Sequence, residues 1–484
     1  MARNDFIDAL IQCLGPSAVL YQEEDTRPYE CDALTAHREL PLAVLLPKSE
    51  AQIVSILAIC RHYMVPVVPR GAGTGLSGGA RPLREGVVIS TARMTRILGL
   101  DPLARTARVE PGVRNLAVSD AAASHGLYYA PDPSSQIACT IGGNVAENSG
   151  GVHCLKYGLT LHNVLGVRGV LSSGEIIEIG GEVLDAGGLD LLPLVIGSEG
   201  MLMIVTEVLL KLTPKPACAR VILASFPSTE SAASAVADIL AAGIIPAGLE
   251  MMDRSATHAV EAFVKAGYDL EAEAILLCES DGSVSEVKDE IQRLEALLRS
   301  SGATSLRISK NEEERLMFWS GRKNAFPAAG RLSPDYYCMD GTVPRRRMAE
   351  LLSFIKERES HYGLRCMNVF HAGDGNMHPL ILFDASDLSE WQRAEAFGNE
   401  ILLECIALGG TVTGEHGVGV EKLDSLCVQY SEEEREIFLA LKRAFDPLEL
   451  LNPGKGIPSL HRCAEFGREH VHVERRSFEG LERF

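Results

Sequence analysis

The chain lacks any Cys-x-x-Cys pair: its 12 cysteines are scattered along 484 residues. Neither an iron–sulfur cluster nor a zinc ribbon is therefore encoded, and in a reducing compartment the thiols are expected to serve as small buried hydrophobes. No apolar run approaches the roughly 20 residues needed to span a bilayer. Met1-Ala2-Arg3-Asn4-Asp5 leads into a helix-like segment without a signal-peptide core, so a cytoplasmic protein is expected. Basic residues are too few for a phosphate-backbone binder. With 46 Lys and Arg against 65 Asp and Glu, the formal charge of −19 excludes nucleic acid as a partner. Internal repeats and low-complexity tracts are also missing. The length exceeds what one compact core serves, which implies two or three domains.

What the chain does have is a pair of histidines in a hairpin-like setting, Asn368-Val369-Phe370-His371-Ala372-Gly373-Asp374-Gly375-Asn376-Met377-His378. Asp374-Gly375 is the dipeptide that a two-residue type I′ turn prefers. If that turn forms, His371 pairs with His378, and their Cβ atoms stand roughly 5 Å apart on one face. Such a clamp needs a third ligand. Glu415, in Gly414-Glu415-His416-Gly417, supplies a carboxylate and leaves an open coordination position, as catalytic sites do. His416 could stand beside the metal without ligating it. The plainer alternative is that the two imidazoles fill a polar seam of a sheet.

Earlier in the chain, residues 42–46, 49–63 and 65–68 read as strand, helix and strand, with Ser49 as the helix cap. A glycine loop follows at once, Pro69-Arg70-Gly71-Ala72-Gly73-Thr74-Gly75-Leu76-Ser77-Gly78-Gly79. Its glycines permit positive φ and let backbone N–H groups approach an anion such as a pyrophosphate. The subset 73–78 satisfies G-x-G-x-x-G, but that motif should open a helix, and here the chain runs on to a strand at 87–90. A second block holds Pro131-Asp132-Pro133, Thr140-Ile141-Gly142-Gly143-Asn144 and Asn148-Ser149-Gly150-Gly151. Two such loops around one sheet suggest a long ligand, an entire dinucleotide, laid across it. Proline punctuation at Pro214-Lys215-Pro216 marks a domain boundary. Beyond it, strands at 221–226, 249–252 and 274–279 alternate with helices at 230–242 and 284–299, the pattern of a ferredoxin-like layer to which the histidine hairpin also belongs.

These residues resemble a known family. Residues 69–79, 131–151 and 196–207 are similar to the FAD-binding type 4 domain of the vanillyl-alcohol oxidase, or PCMH-type, flavoproteins. Gly321-Arg322-Lys323-Asn324-Ala325-Phe326-Pro327, the histidine hairpin, residues 414–417 and Leu451-Asn452-Pro453-Gly454-Lys455 resemble its D-2-hydroxy-acid dehydrogenase branch. Residues 333–346 resemble the bacterial glycolate oxidase group within that branch. The resemblance implies an α+β fold. A two-subdomain PCMH-type FAD-binding domain would occupy 1–216, and a ferredoxin-like α/β substrate (cap) domain with the metal site 217–445. The C-terminal segment, 446–484, would return to the flavin before a peripheral tail.

The same resemblance implies non-covalent FAD lined by Arg70, Gly71, Gly73, Thr74, Gly75, Pro131, Asp132, Thr140, Gly143, Asn144, Gly150, Ile204 and Asn452. It implies zinc or another divalent metal on His371, His378 and Glu415, with His416 as base and Arg322 holding the substrate carboxylate. Family members acting on 2-hydroxyglutarate carry a lysine two residues before the aspartate of their equivalent strand. Cys338 stands there in this chain, before Met339-Asp340, so a small monocarboxylic acid is expected. The implied reaction takes glycolate, or D-lactate, to its 2-oxo acid with hydride passing to flavin N5. Accessory flavin-type and iron–sulfur subunits would carry electrons onward to a membrane quinone pool, at the inner face of the cytoplasmic membrane. Two rivals stay open at this point: a metal-dependent hydrolase, and a flavin-carrying subunit without activity.

Overall fold

The computed structural model describes residues 2–183, 187–459 and 463. The chain folds as two compact units. Among the described residues, one takes those up to Gly150, then Gly158–Lys215 and those from Glu415 on; the other takes Gly151–Tyr157 and Pro216–Gly414.

Beside a two-stranded pair of Thr213–Pro214 with Leu127–Tyr128, the first unit is built on two main sheets. In the smaller, Val19–Leu20, Ala43–Leu45, Val87–Ser90 and Val67–Arg70 lie side by side in that order, the last three mutually parallel. The helix Glu50–Tyr63 is the crossover between the parallel strands Ala43–Leu45 and Val67–Arg70, which flank Val87–Ser90; it is capped by Ser49 and ended by Met64 in the left-handed region. The larger sheet is antiparallel, in the order Ile97–Asp101, Thr106–Val109, Ile204–Lys211, Val164–Val170, Ile176–Gly180. Leu451 bridges in parallel to Val67, so the C-terminal segment extends the smaller sheet at its outer strand.

The second unit carries one seven-stranded antiparallel sheet. Its spatial order is Ser305–Ile308, Cys218–Phe226, Ala274–Gly282, Gly248–Asp253, Arg365–His371, Asn376–Phe383, Asp335–Cys338. Numbered along the chain, the first four stand 4-1-3-2, the ferredoxin-like arrangement, and the histidine hairpin prolongs them.

Three sequence-based expectations need correction. First, the hairpin register pairs His371 with Asn376 and Val369 with His378. The loop therefore has four residues; of Asp374 and Gly375 only the glycine has positive φ, which rules out type I′. His371 O accepts from Asp374 N at 3.2 Å and Gly375 N at 3.0 Å. Because the register moves by two, an even number, both imidazoles keep the same face and become diagonal neighbours.

Second, the change of unit falls after Gly414 rather than at 445. The helix Glu432–Phe445 is tied to the first unit through Lys442, whose Nζ donates to Met201 O and Leu451 O, each at 2.7 Å. Residues 151–157 make the opposite excursion: Lys156 Nζ donates to Asp281 O at 2.7 Å and Tyr157 Oη to Asp281 Oδ2 at 2.7 Å. Third, Cys427 and Cys463 form a disulfide, leaving ten free thiols, of which Cys60 and Cys278 are among those fully buried. The tail expected to be peripheral lies almost wholly outside the described residues.

Glu279, 2% exposed, gathers His153 Nε2 at 3.1 Å, Arg315 Nη1 at 2.7 Å and the Trp319 indole N–H. Burial alone would raise its carboxyl, but those donors, led by His153, hold it down at about 2. A depressed carboxyl stabilises the fold above its unfolded value of 4.5 and loses that contribution as pH falls toward 2. Both tryptophans, Trp319 and Trp391, belong to this unit, so their fluorescence reports its unfolding. In urea titrations from pH 5 to 2.5, the wild type is expected to lose up to roughly 3 kcal/mol more than Glu279→Gln. Parallel pH profiles would remove Glu279 from this role.

Candidate functional site

The two glycine-rich blocks meet inside the first unit. A Cβ at Gly71 would collide with Thr140 Oγ1 and come within 3.5 Å of Gly143, so only glycine permits this approach. Thr140 caps the helix Ile141–Glu147 by accepting from Gly143 N. Gly73 has φ +72° and lies over the Arg70 guanidinium. Arg70 donates to Cys31 O at 2.7 Å and packs over Tyr29, so it braces the loop that includes Thr74 and Gly75. Asn115, not singled out from sequence, fixes the second block: its Nδ2 donates to Pro131 O and to Asn144 Oδ1, each at 3.0 Å. The Asn144 side chain is thereby turned inward, and Ile204 is packed into the core beside Val170 and Leu451. Asp132, next to Pro131, is half-buried.

Asn452 closes this assembly from the C-terminal segment. With φ 45°, it donates from Nδ2 to Gly79 O at 3.0 Å and Glu199 O at 2.7 Å, while its buried Oδ1 has no hydrogen-bond partner. Lys455 Nζ donates to Gly79 O at 3.0 Å and to Arg81 O, and burial pushes its ammonium down to about 7. Glu199 accepts from Val418 N and Gly419 N, each at 2.7 Å. Burial raises its carboxyl, against the pull of those two donors. Glu199 and Lys455 lay in motifs read from the sequence, but their packing roles did not. An orphaned acceptor beside a glycine cradle suits a large polar cofactor such as FAD, and the residues present fit that group.

In the second unit the His371 and His378 rings lie 5.2 Å apart, nearly perpendicular. Glu250 Oε1 stands 2.7 Å from His371 Nδ1, and Met339 O lies 3.1 Å from His378 Nδ1. With a proton on each Nδ1 facing these oxygens, each ring carries its lone pair on Nε2, the tautomer that suits a metal ligand. Arg322, on the helix Glu312–Lys323, is 1% exposed; its Nε donates to Glu250 Oε2 at 2.6 Å, and Nη1 and Nη2 have no hydrogen-bond partner. Asn376, opposite His371 in the ladder, keeps a buried Oδ1 without a partner. Asp340 accepts from Thr413 Oγ1 at 2.6 Å.

Glu415 and His416 follow on the chain as it returns to the first unit. His416 Nε2 lies 3.5 Å from Glu415 Oε1, and a Cβ on Gly150 would come within 2.7 Å of Glu415 Oε2. Glu415 thus touches a residue expected to line the flavin.

Comparison with known proteins adds the family. The FAD binding domain family matches residues 41–180, and the family described as FAD linked oxidases, C-terminal domain, matches residues 215–456. The chain is 57% identical over 482 residues to glycolate oxidase subunit GlcD of Escherichia coli (strain K12), covering 100% of this chain and 97% of that one. It is 33% identical over 468 residues to D-lactate dehydrogenase of Archaeoglobus fulgidus, covering 95% and 100%. Among solved structures, p-cresol methylhydroxylase with substrate bound matches at a TM-score of 0.80 and 18% identity, over 95% of this chain and 98% of that chain, a likeness of fold. The chain belongs to the FAD-linked oxidases, and is an FAD-dependent hydroxy-acid oxidoreductase.

Proposed function

We propose that the chain oxidises glycolate to its 2-oxo acid by removing two electrons, as the catalytic subunit of a larger complex. The observation that carries this reading is Arg322, a buried guanidinium whose two Nη groups have no hydrogen-bond partner. A planar fork of this kind matches a carboxylate bidentately. By the resemblance, Cys338 takes the place of the lysine carried by members that act on 2-hydroxyglutarate, which favours a monocarboxylic acid. The Escherichia coli relative is named as a glycolate oxidase subunit. D-lactate is the second reading, favoured by the Archaeoglobus relative's name, and asks the site to admit one further methyl group.

When bound, FAD supplies the two-electron acceptor, and a divalent cation, zinc in this reading, supplies Lewis acidity at the substrate hydroxyl. His371, His378 and Glu415 would hold that cation, two imidazoles and one carboxylate. Arg322 orients the acid through its carboxylate. His416 takes the hydroxyl proton on its imidazole, and the Glu415 carboxylate, 3.5 Å from Nε2, stabilises the imidazolium so formed. The flavin-binding domain would be idle in a hydrolase. Accessory flavin-type and iron–sulfur subunits would reoxidise the cofactor; no helix among the described residues is long and apolar enough to cross a membrane, so any approach to a quinone pool would be through those partners.

Anaerobic addition of glycolate is expected to bleach the bound flavin, with D-lactate next and L-lactate and 2-hydroxyglutarate inert. A yellow protein that none of the four bleaches would overturn the reading. His416→Ala should retain flavin but lose about 10²- to 10⁴-fold in turnover, read by steady-state kinetics; a near-native rate would exclude it as the base. Arg322→Lys keeps the charge but not the fork, and KM for the acid should rise by roughly tenfold or more. Unchanged kinetics would dismiss the carboxylate clamp.

A further inference from the structure

We propose that Glu250 is a positioning residue that couples the substrate clamp to the metal ligand: one carboxylate orients Arg322 with one oxygen and fixes the tautomer of His371 with the other. The proposal rests on the metal and clamp roles given above to His371 and Arg322. Glu250 lies on the strand Gly248–Asp253, beside the strand Arg365–His371, and is 1% exposed. Its Oε2 accepts from Arg322 Nε at 2.6 Å, and its Oε1 lies 2.7 Å from His371 Nδ1. Among the described residues, Glu250 is the carboxylate that ion-pairs with Arg322. Arg322 and His371 are themselves buried, so the three groups form a chain with little water to substitute for a missing member.

The chemistry demands a carboxylate here. A guanidinium Nε–H and an imidazole Nδ1–H are both donors, and each needs its own acceptor oxygen. Only an ionised Asp or Glu offers two. With Nδ1–H committed to Glu250, the His371 lone pair is left on Nε2, facing away from Glu250. With Nε committed as well, the Arg322 fork is held by its stem, and its two Nη groups remain for the substrate. Carboxylate partners of this kind orient ligating histidines and raise their basicity, and losing one typically weakens metal affinity by about 10- to 100-fold.

Glu250→Gln keeps the shape but offers one acceptor and an NH₂ group. If the amide faces His371 with its nitrogen, the imidazole must accept at Nδ1 and carry its proton on Nε2, where the metal should bind. The experiment titrates Zn²⁺ into chelator-treated, FAD-loaded full-length chain by calorimetry, for the wild type, Glu250→Gln, His371→Ala and Arg322→Met. Glu250→Gln is expected to bind zinc about 10- to 100-fold more weakly and to show a raised KM for the acid. Arg322→Met, which leaves Glu250 facing His371, should keep native zinc affinity and show only the raised KM.

If His371→Ala loses zinc while Glu250→Gln binds as the wild type does, the positioning role alone is overturned. A wild type that binds no zinc, or a His371→Ala that binds it normally, would overturn the metal reading and this proposal together. Zinc weakened equally in Arg322→Met and Glu250→Gln would mean general loosening of the site, and would also overturn it. Should Glu250→Gln fail to fold, the ¹⁵N imidazole shifts of the zinc-free wild type still decide. A His371 proton on Nδ1, assigned through its loss in His371→Ala, supports the proposal, and a proton on Nε2 refutes it.

Discussion

A guanidinium taken out of water costs several kcal/mol unless a counter-charge meets it, and the candidate substrate site of the second unit is arranged around that constraint. Arg322 is almost wholly buried, and Glu250 answers it with a single oxygen. Both Nη groups, four of the guanidinium's five N–H donors, are left without a hydrogen-bond partner in the interior. A small carboxylate supplies what is missing, and an uncharged ligand would not. In the proposed reading the site would select its substrate through this incomplete hydrogen bonding, with Glu250 held on a strand of the ferredoxin-like sheet and Arg322 on the helix Glu312–Lys323.

The first unit solves a different problem, holding a loop of glycines in one shape. Glycine loses more backbone freedom on ordering than any other residue, so this loop needs anchors from outside itself. They come from both directions along the chain. Arg70 secures it near its start, while Asn452 and Lys455 take hold of the Gly79 carbonyl near its end. Val420 N and Glu421 N both donate to Ser77 O, so the segment just beyond His416 is also committed to the loop. The segment bearing the proposed base and the cofactor cradle therefore share a single set of hydrogen bonds.

How much of this was legible in the sequence depended on whether the signal was local. Ser49 as a cap, the strands around the second-unit helices and the two glycine blocks were readable because caps, periodicity and glycine density act within a few residues. The histidine pair was readable for a sturdier reason: alternation has period two, so an error of two in register still leaves both rings on one face. The turn itself was misread, since Asp-Gly is compatible with more than one loop length and only the backbone angle of Asp374 distinguishes them. Glu250 and Asn115 were invisible. Each is an ordinary polar residue in a strand or helix, and its partners, His371 and Arg322 for the first, Pro131 and Asn144 for the second, are brought to it by tertiary folding alone. The second change of unit was missed because helix-forming residues after Gly414 carry no mark of which core they will join.

The bond between Cys427 and Cys463 closes a covalent ring that contains the helix Glu432–Phe445 and residues 451–456, with Asn452 and Lys455 among them. Backbone scission anywhere within that ring leaves both fragments attached to each other. A nicked molecule would stay in one covalent piece until a reductant was added, and the lysine and asparagine that grip the glycine loop would stay tethered beside it. Reduction of an already nicked chain would then release a C-terminal piece, turning a silent cut into a visible one.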